Sequence, residues 1–317
     1  MHLARRNMRY IPAALLALSA FALSCPAATL YLKSIDDPDF YSYDTQTDAW
    51  TVRNSFTAQS QLATDSSGNL YVARDGVVKL YNPTNDSWSA VSSAIPSPGQ
   101  YSNLEITNGG NILFNTVGDT NLQVYNGSSW TSHNLGVALS LAADYDPGTG
   151  VFAAFGYNST TAYTINLTTF TVQSTYTSPG TSDAENRRFG EILDGKFYGA
   201  GYNAGLAPGF YDYDLSNPAA PLTVLPKADG SASFFPTGAA DPTTNSLYVA
   251  TLGSAYFDSL GNNFFHYDVA TSTYIPLAAY PTDDDTLHNS LAWTPTPEPG
   301  SLAIFGVALI ALKRRRR

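Results

Sequence analysis

The first pattern along the chain is an alternation of aromatic and polar residues that recurs six times. It appears in "FYSYDTQTDAW", "VKLYNPTNDSW", "LQVYNGSSW", "AYTINLTTF", "FYDYDLSNPAAPL" and "FFHYDVATSTY". Alternation with period two predicts a strand with one buried face. In each copy the alternation ends at Asp or Asn: Asp44, Asn82, Asn126, Asn166, Asp214 and Asp268. A short polar stretch comes next, which predicts a tight turn closed by the Asx side chain. Each copy therefore reads as a β-hairpin. A short apolar strand precedes each hairpin: "TLYLKS", "NLYVAR", "NILFNT", "VFAAFG", "KFYGAG" and "SLYVAT". Counted from Tyr31, Tyr71, Leu113, Phe152, Tyr198 and Tyr248, successive copies are 40, 42, 39, 46 and 50 residues apart. Before five of these lies a further strand, as in "QLATD", "NLEIT", "LSLAADY" and "RFGEIL".

Four strands per unit at this spacing predict the blades of a β-propeller. The first unit begins at Ala28 with its second strand, so it lacks an innermost one. One strand, "HNSLAWT" from His288 to Thr294, is left over after the sixth unit. If it joins the first unit, six complete blades close into a ring without open inner edges. The expectation is an all-β, six-bladed propeller over residues 28–295; seven blades and an open array are the alternatives at this level. The hairpins with Tyr43, Asp44 and Trp50, and with Tyr81, Asn82 and Trp88, resemble kelch-type blades. The diglycine of that type is missing from most units, with Gly109–Gly110 the nearest case.

The two ends differ from this body. Arg5, Arg6 and Arg9 precede an apolar run from Ile11 to Leu23 and the small residues of "SCPAAT". That order is expected of an export signal in residues 1–27, cleaved near Ala27 or Ala28. Cys25 is the only cysteine. "ALSC" fits a lipoprotein signal loosely, so acylation of Cys25 is one alternative, and the body beyond it has no thiol chemistry. At the other end, Leu302–Leu312 are apolar and Lys313–Arg317 are cationic. Eleven residues of helix span about 17 Å, roughly half a hydrocarbon core. The expectation is a short C-terminal transmembrane helix with its cations on the cytoplasmic side.

Pro297, Glu298 and Pro299, the apolar run, and Arg314, Arg315, Arg316 and Arg317 together resemble the PEP-CTERM sorting signal, here over residues 296–317. The resemblance implies a Gram-negative bacterium, transient anchorage in the inner membrane, and processing by an exosortase. It also implies final location at the cell surface or beyond, in company with exopolysaccharide and biofilm production.

Charge narrows the partners. Charged residues are 13% of the chain, about half the usual share. Between the two ends, eight cations stand against 25 acids, a net charge of −17. Such a surface repels phosphate backbones, so nucleic acid is not expected as a partner. No glycine-rich phosphate loop, Gly-x-Ser-x-Gly, His-Glu-x-x-His or Cys/His metal spacing occurs, and no catalytic residue is assigned.

In a propeller, loops that link one blade to the next share a face with the turns between second and third strands. A polar and aromatic rim is expected there from His288, Asn289, Gln61, Asn103, Arg187 and Arg188, with Tyr101 and Phe235 beside them. Amides and rings suit a sugar. Asp36, Asp37 and Asp39, with Asp283, Asp284 and Asp285, are expected to meet at the ring seam, where hard oxygen ligands suit Ca²⁺. His133 and His266 fall on outer strands and are expected to be packing residues, as are Trp50, Trp88 and Trp130. The functional expectation is a non-enzymatic exported binding protein for exopolysaccharide, matrix components or envelope proteins. The alternatives are a polysaccharide-active enzyme using Glu191 with Asp183 or Glu185, and a protein-interaction scaffold.

Overall fold

The computed structural model describes residues 28–34, 38–159, 161–177, 189–203, 206–220, 223–225, 237–250, 263–279, 281 and 289–295. They form one compact unit, Ala28–Pro295, built of six four-stranded antiparallel sheets with no helix among the described residues. Blade 1 contains β1 (Ala28–Ser34), β2 (Phe40–Asp44) and β3 (Ala49–Val52). Blade 2 is β4 (Ala63–Thr64), β5 (Leu70–Arg74), β6 (Val77–Asn82) and β7 (Ser87–Ala90). Blade 3 is β8 (Ser102–Ile106), β9 (Ile112–Thr116), β10 (Asn121–Tyr125) and β11 (Trp130–Asn134). Blade 4 is β12 (Leu139–Asp146), β13 (Val151–Gly156), β14 (Thr161–Asn166) and β15 (Thr171–Thr177). Blade 5 is β16 (Phe189–Leu193), β17 (Lys196–Asn203), β18 (Leu206–Asp214) and β19 (Thr223–Val224). Blade 6 is β20 (Thr237–Asp241), β21 (Ser246–Ala250), β22 (Phe264–Asp268) and β23 (Thr273–Pro276), and the chain ends its described course in β24 (Asn289–Pro295).

The leftover strand closes the ring as its pattern predicts. β24 pairs antiparallel with β1 along its whole length, from Ala28 opposite Pro295 to Ser34 opposite Asn289. The sheet order of blade 1 is therefore β24-β1-β2-β3. The expected C-terminal helix falls on residues outside those described.

All six expected Asx turns form. Asp44 Oδ1 accepts the Gln46 N–H at 2.8 Å and Asn82 Oδ1 accepts that of Thr84 at 3.0 Å. Asn126, Asn166, Asp214 and Asp268 take the N–H two residues on at 2.9–3.0 Å. In several blades the residue just before the next strand has positive φ, 52° at Asp48 and 49° at Asp86. Aspartate tolerates that conformation better than most residues. Both aspartates then work twice: Asp48 accepts the Tyr43 hydroxyl at 2.6 Å and the N–H of Ala278 at 2.8 Å. Asp86 accepts the Tyr81 hydroxyl at 2.7 Å and the N–H of Asn54 at 2.9 Å. Each ties a hairpin to the segment arriving from the preceding blade.

The core is divided among the blade interfaces. Six clusters of buried apolar side chains occur, one in each gap between neighbouring blades. The second strands are buried on both faces, as in β21 and nearly all of β13. That is why those phrases are continuous apolar runs without alternation. Trp50 packs on Tyr43 and Phe264, Trp88 on Phe40 and Phe56, and Trp130 on Phe114 and Tyr125. The indole N–H groups of Trp50 and Trp130 donate to the carbonyls of Ala278 and Ser93, at 3.1 and 3.2 Å. Between blades 1 and 2, Lys33 is fully buried, its ammonium 5.0 Å from the Phe56 ring centroid, with the Arg74 guanidinium at 5.1 Å. Such contacts favour a cation in an otherwise apolar gap.

Loss of closure should cost as much as the net stability of a typical domain, about 5–15 kcal/mol. A chain stopped at Leu287, which lacks β24, is expected to lose its cooperative thermal transition, whereas one stopped at Pro295 keeps it. Equal midpoints for the two by differential scanning calorimetry would show that β24 does not hold the ring.

Candidate functional site

The six innermost strands surround a central channel, and hydrogen bonds join five of their six neighbouring pairs among the described residues. The Gln61 N–H donates to the Ser102 carbonyl at 3.0 Å, and Leu62 N–H to Ser290 Oγ at 2.8 Å. In blades 3, 4 and 5, carboxylates take this role. Glu105 in β8 accepts the N–H of Tyr145 in β12. Asp144 in β12 accepts the N–H of Ile192 in β16 at 2.5 Å, and Glu191 in β16 accepts that of Ala240 in β20 at 3.1 Å. Each acid thus reaches forward to the next blade, and all three come to the channel.

They border a cavity of about 460 Å³. Its floor includes Glu105, Asp144 and Glu191; its wall includes Tyr145, Ile192, Ala239, Leu291 and Trp293. Its mouth is formed by Asp65, Ser66 and Gly68, by Asp146, Pro147 and Gly148, by Pro242 and Thr243, and by Pro295. Three of these groups are turns between first and second strands. Inward of the cavity, a narrow waist of about 20 Å³ is bounded by Gln61, Glu105, Phe189, Gly190, Glu191, Gly238 and Ser290. A Cβ on Gly190 would come within 2.8 Å of Phe197, and one on Gly238 within 2.2 Å of Phe189. The inner strands there have room only for glycine.

Each of the three acids is partly exposed at the cavity and crowded by protein on its other sides, so its charged form is less well solvated than in water. Burial pushes Glu105 well above the usual carboxylate range; the negative charges of Asp144 and Glu191 add to this, against the Tyr145 N–H. Burial raises Asp144 to about 7, opposed by the N–H groups of Ile192 and Tyr145. Glu191 is likewise raised well above its ordinary value, by burial and then by Asp144, against the Ala240 N–H. Each of these carboxyls keeps its proton to a higher pH than a solvated acid would, and in that form it donates as well as accepts hydrogen bonds.

The residues expected at the rim divide between described and undescribed positions. Gln61, Tyr101 and Asn103 are brought together where blades 2 and 3 meet, beside the isolated bridge between Ser60 and Ser102. Tyr101 has a φ of 63°, and its carbonyl accepts the Val117 N–H at 3.0 Å. Asn103 is buried, its amide donating to the Ser140 carbonyl of the next blade at 2.5 Å. Asn289 stands opposite Ser34 in the closing ladder. His288, Arg187, Arg188 and Phe235 lie outside the described residues. So do Asp36, Asp37, Asp283, Asp284 and Asp285 of the expected calcium cluster, and the tail residues Pro297, Glu298, Pro299 and Arg314 to Arg317. Asp39 is described, and its carboxylate accepts the Tyr41 hydroxyl at 2.9 Å. Among the described residues no group of three or more His, Cys, Asp or Glu side chains is arranged to hold a metal ion. His133 stacks on Phe170, centroids 3.5 Å apart, and His266 shares a 2.7 Å hydrogen bond with Ser246. Both are packing residues.

The cavity opens on the face opposite the one where the polar and aromatic rim is expected. Glu191 is legible in the sequence as an acid in an inner strand; Glu105 and Asp144 are not conspicuous there. Their signal is one acid inside each of three apolar inner-strand phrases, "NLEIT", "LAADY" and "FGEIL".

The chain matches the PEP-CTERM protein-sorting motif over residues 295–317. The motif indicates an exported protein with a membrane-anchored sorting signal and implies exosortase-mediated processing. No curated protein sequence matches the chain. The propeller is similar to a chain in the crystal structure of a nidogen/laminin complex, with a TM-score of 0.60 and 10% identity, covering 84% of this chain and 98% of that one. It is also similar to a Bacteroides caccae protein of unknown function, with a TM-score of 0.59 and 12% identity over 85% and 100% of the two chains. A streptogramin B lyase structure gives a TM-score of 0.51 and 11% identity, over 81% and 76%. At these identities the likeness establishes the propeller fold alone.

The raised carboxyls give stability a defined pH dependence. The folded state holds protons that the unfolded chain releases near pH 4, so this contribution is complete below that value. It is lost as pH rises through about 7 at Asp144. Asp144→Asn keeps an acceptor for the Ile192 N–H but cannot ionise. The variant is expected to match the parent at pH 4 and to exceed it at pH 8 by up to about 4 kcal/mol. Parallel denaturant titrations at the two pH values check this, and an unchanged difference would refute the buried-acid assignment.

Proposed function

We propose that this PEP-CTERM-tagged propeller is a non-enzymatic binding protein for a neutral segment of extracellular polysaccharide, or for a matrix component that carries one. It acts at the surface of a Gram-negative bacterium or in the surrounding matrix, after its tail is processed. The observation that carries this reading is the channel cavity. At about 460 Å³, it falls within the range of small-molecule sites, about 300–1,000 Å³. Its lining includes the partly exposed Trp293 beside Glu105, Asp144 and Glu191, while Tyr145 is buried in the gap between blades 3 and 4. Apolar sugar faces stack on rings, and sugar hydroxyls pair with groups that both donate and accept.

Charge supports a neutral ligand. Among the described residues, no lysine or arginine lines the cavity, and the body's net charge of −17 opposes an anionic polymer. An anionic polymer would need a bridging cation, and the cluster of Asp36, Asp37, Asp39, Asp283, Asp284 and Asp285 is the proposed place for Ca²⁺. A second reading, hydrolysis of polysaccharide, draws on the same acids. A carboxyl held protonated near neutral pH is what a general acid requires. Glu191→Gln separates the two: it abolishes turnover under the second reading and leaves binding largely intact under the first.

Co-sedimentation of Ala28–Pro295 with the producing organism's neutral exopolysaccharide is expected to show saturable binding that chelator does not alter. Ser66→Trp, at the mouth, should weaken it by about tenfold or more, equivalent to about 1.4 kcal/mol. Ala94→Trp, on the opposite face, should leave it unchanged. Equal binding by the two variants would remove the cavity from consideration, and dependence on calcium would assign the ligand to the aspartate cluster instead.

A further inference from the structure

The two ends of the channel cavity differ in width, and the difference bears on which part of a polymer can occupy it. At one end, Asp65, Gly68, Asp146 and Pro295 stand around the mouth. At the other, among the described residues, the channel contracts to the waist of about 20 Å³. One water needs about 10–15 Å³ of such space, so the waist passes water and nothing the size of a sugar ring. It is also held in place. Phe189, which borders it, is buried between blades 5 and 6 against Phe210, ring centroids 5.8 Å apart. Gly238 already lies against the Phe189 ring, and a Cβ on Gly190 would meet the Ala142 backbone of blade 4 at 2.9 Å. Neither strand can close in further or exchange a small side chain for a gap.

The lining and depth of the cavity fit a short piece of glycan. In ring order the inner strands are β24, β4, β8, β12, β16 and β20. Glu105, Asp144 and Glu191 therefore sit on three consecutive strands, and the opposite three supply apolar lining that includes Leu62, Ala239, Leu291 and Trp293. Along β24, Leu291 and Pro295 both line the cavity, a rise of about 13 Å. A hexose unit displaces about six waters, or some 180 Å³ at 30 Å³ each, so about two units fill the 460 Å³. An internal stretch of polymer continues at both of its ends and needs two exits. The cavity offers one opening of that size among the described residues.

We propose that the cavity recognises the terminus of a glycan, at a chain end or at the tip of a side branch, and not its interior. The last ring lays its apolar face on the side of Trp293 and Leu291 and turns its hydroxyls toward the three carboxyls, which accept from them in either protonation state. This inference rests on the proposed polysaccharide-binding function and narrows it from a polymer to the end of one.

The test uses the full chain in a sugar-free detergent. The probe is the producing organism's neutral exopolysaccharide, either intact or cut by partial acid hydrolysis to roughly a tenth of its mean length. Every cut makes one new end of each kind and leaves the interior units as they were. Half-saturation, expressed as mass of sugar, is expected to fall about tenfold on shortening, in step with the number of ends. The fragments are also expected to change the tryptophan emission. Trp293→Phe removes that change, and Trp130→Phe, which alters a ring packed on Phe114 and Tyr125, keeps it. The same half-saturating mass for both preparations would overturn the proposal and leave polysaccharide binding in place, because interior units would then be bound as readily as ends. Fragments that bind without any change traceable to Trp293 would overturn it too. Failure of both preparations to bind would remove the binding function, and this inference with it.

Discussion

Everything in this propeller depends on the seven-residue ladder between β24 and β1. Each blade buries its two faces against its neighbours, so no blade has a complete core of its own. An open array of the same sheets would leave two apolar faces and one inner edge exposed to water. Pairing the first strand of the body with the last converts that arrangement into a ring in which every interface is filled. The remaining contacts, such as the aspartates that tie hairpins to incoming segments, refine a geometry that closure has already imposed.

The channel arises from the same constraint. Six inner strands brought together at an axis cannot all bear large side chains, hence Gly190 and Gly238 against the rings of neighbouring strands. They also need inter-blade bonds for backbone groups that their own sheet leaves unpaired. Blades 3, 4 and 5 meet that need with carboxyls, which places three acids around one cavity. The arrangement joins adjacent blades while keeping the acids out of bulk water, and their raised proton affinities are the result.

The fold is legible in the sequence because its determinants are local. Alternation, Asx turns and a spare strand at one end with a missing one at the other are all visible within a few residues, and each reappears in the ring. Continuous apolar phrases mark second strands, although burial of both their faces depends on neighbouring blades. The candidate site is far less legible. Glu105, Asp144 and Glu191 are each a solitary acid in its own phrase, 39 and 47 residues apart. Only the rotation from blade to blade makes them neighbours. Loop positions group Gln61, Tyr101 and Asn103 near one face, but they carry no sign that the cavity lies toward the other. Cavity depth is set by the sizes of residues on six strands at once, a quantity absent from any one of them.

Closure by both ends of the body also bears on how such a ring could change in number. Blade 1 is assembled from residues at opposite extremes of the body, so neither extreme is free to accept another repeat. A seventh blade could enter only by duplication inside the chain, and a blade could be lost only by an internal deletion in register with the repeat. The spacings between repeats in this chain run from 39 to 50 residues, whereas the terminal strand and its partner match over seven residues. Length can differ from blade to blade in this ring, but not at the two ends that must meet.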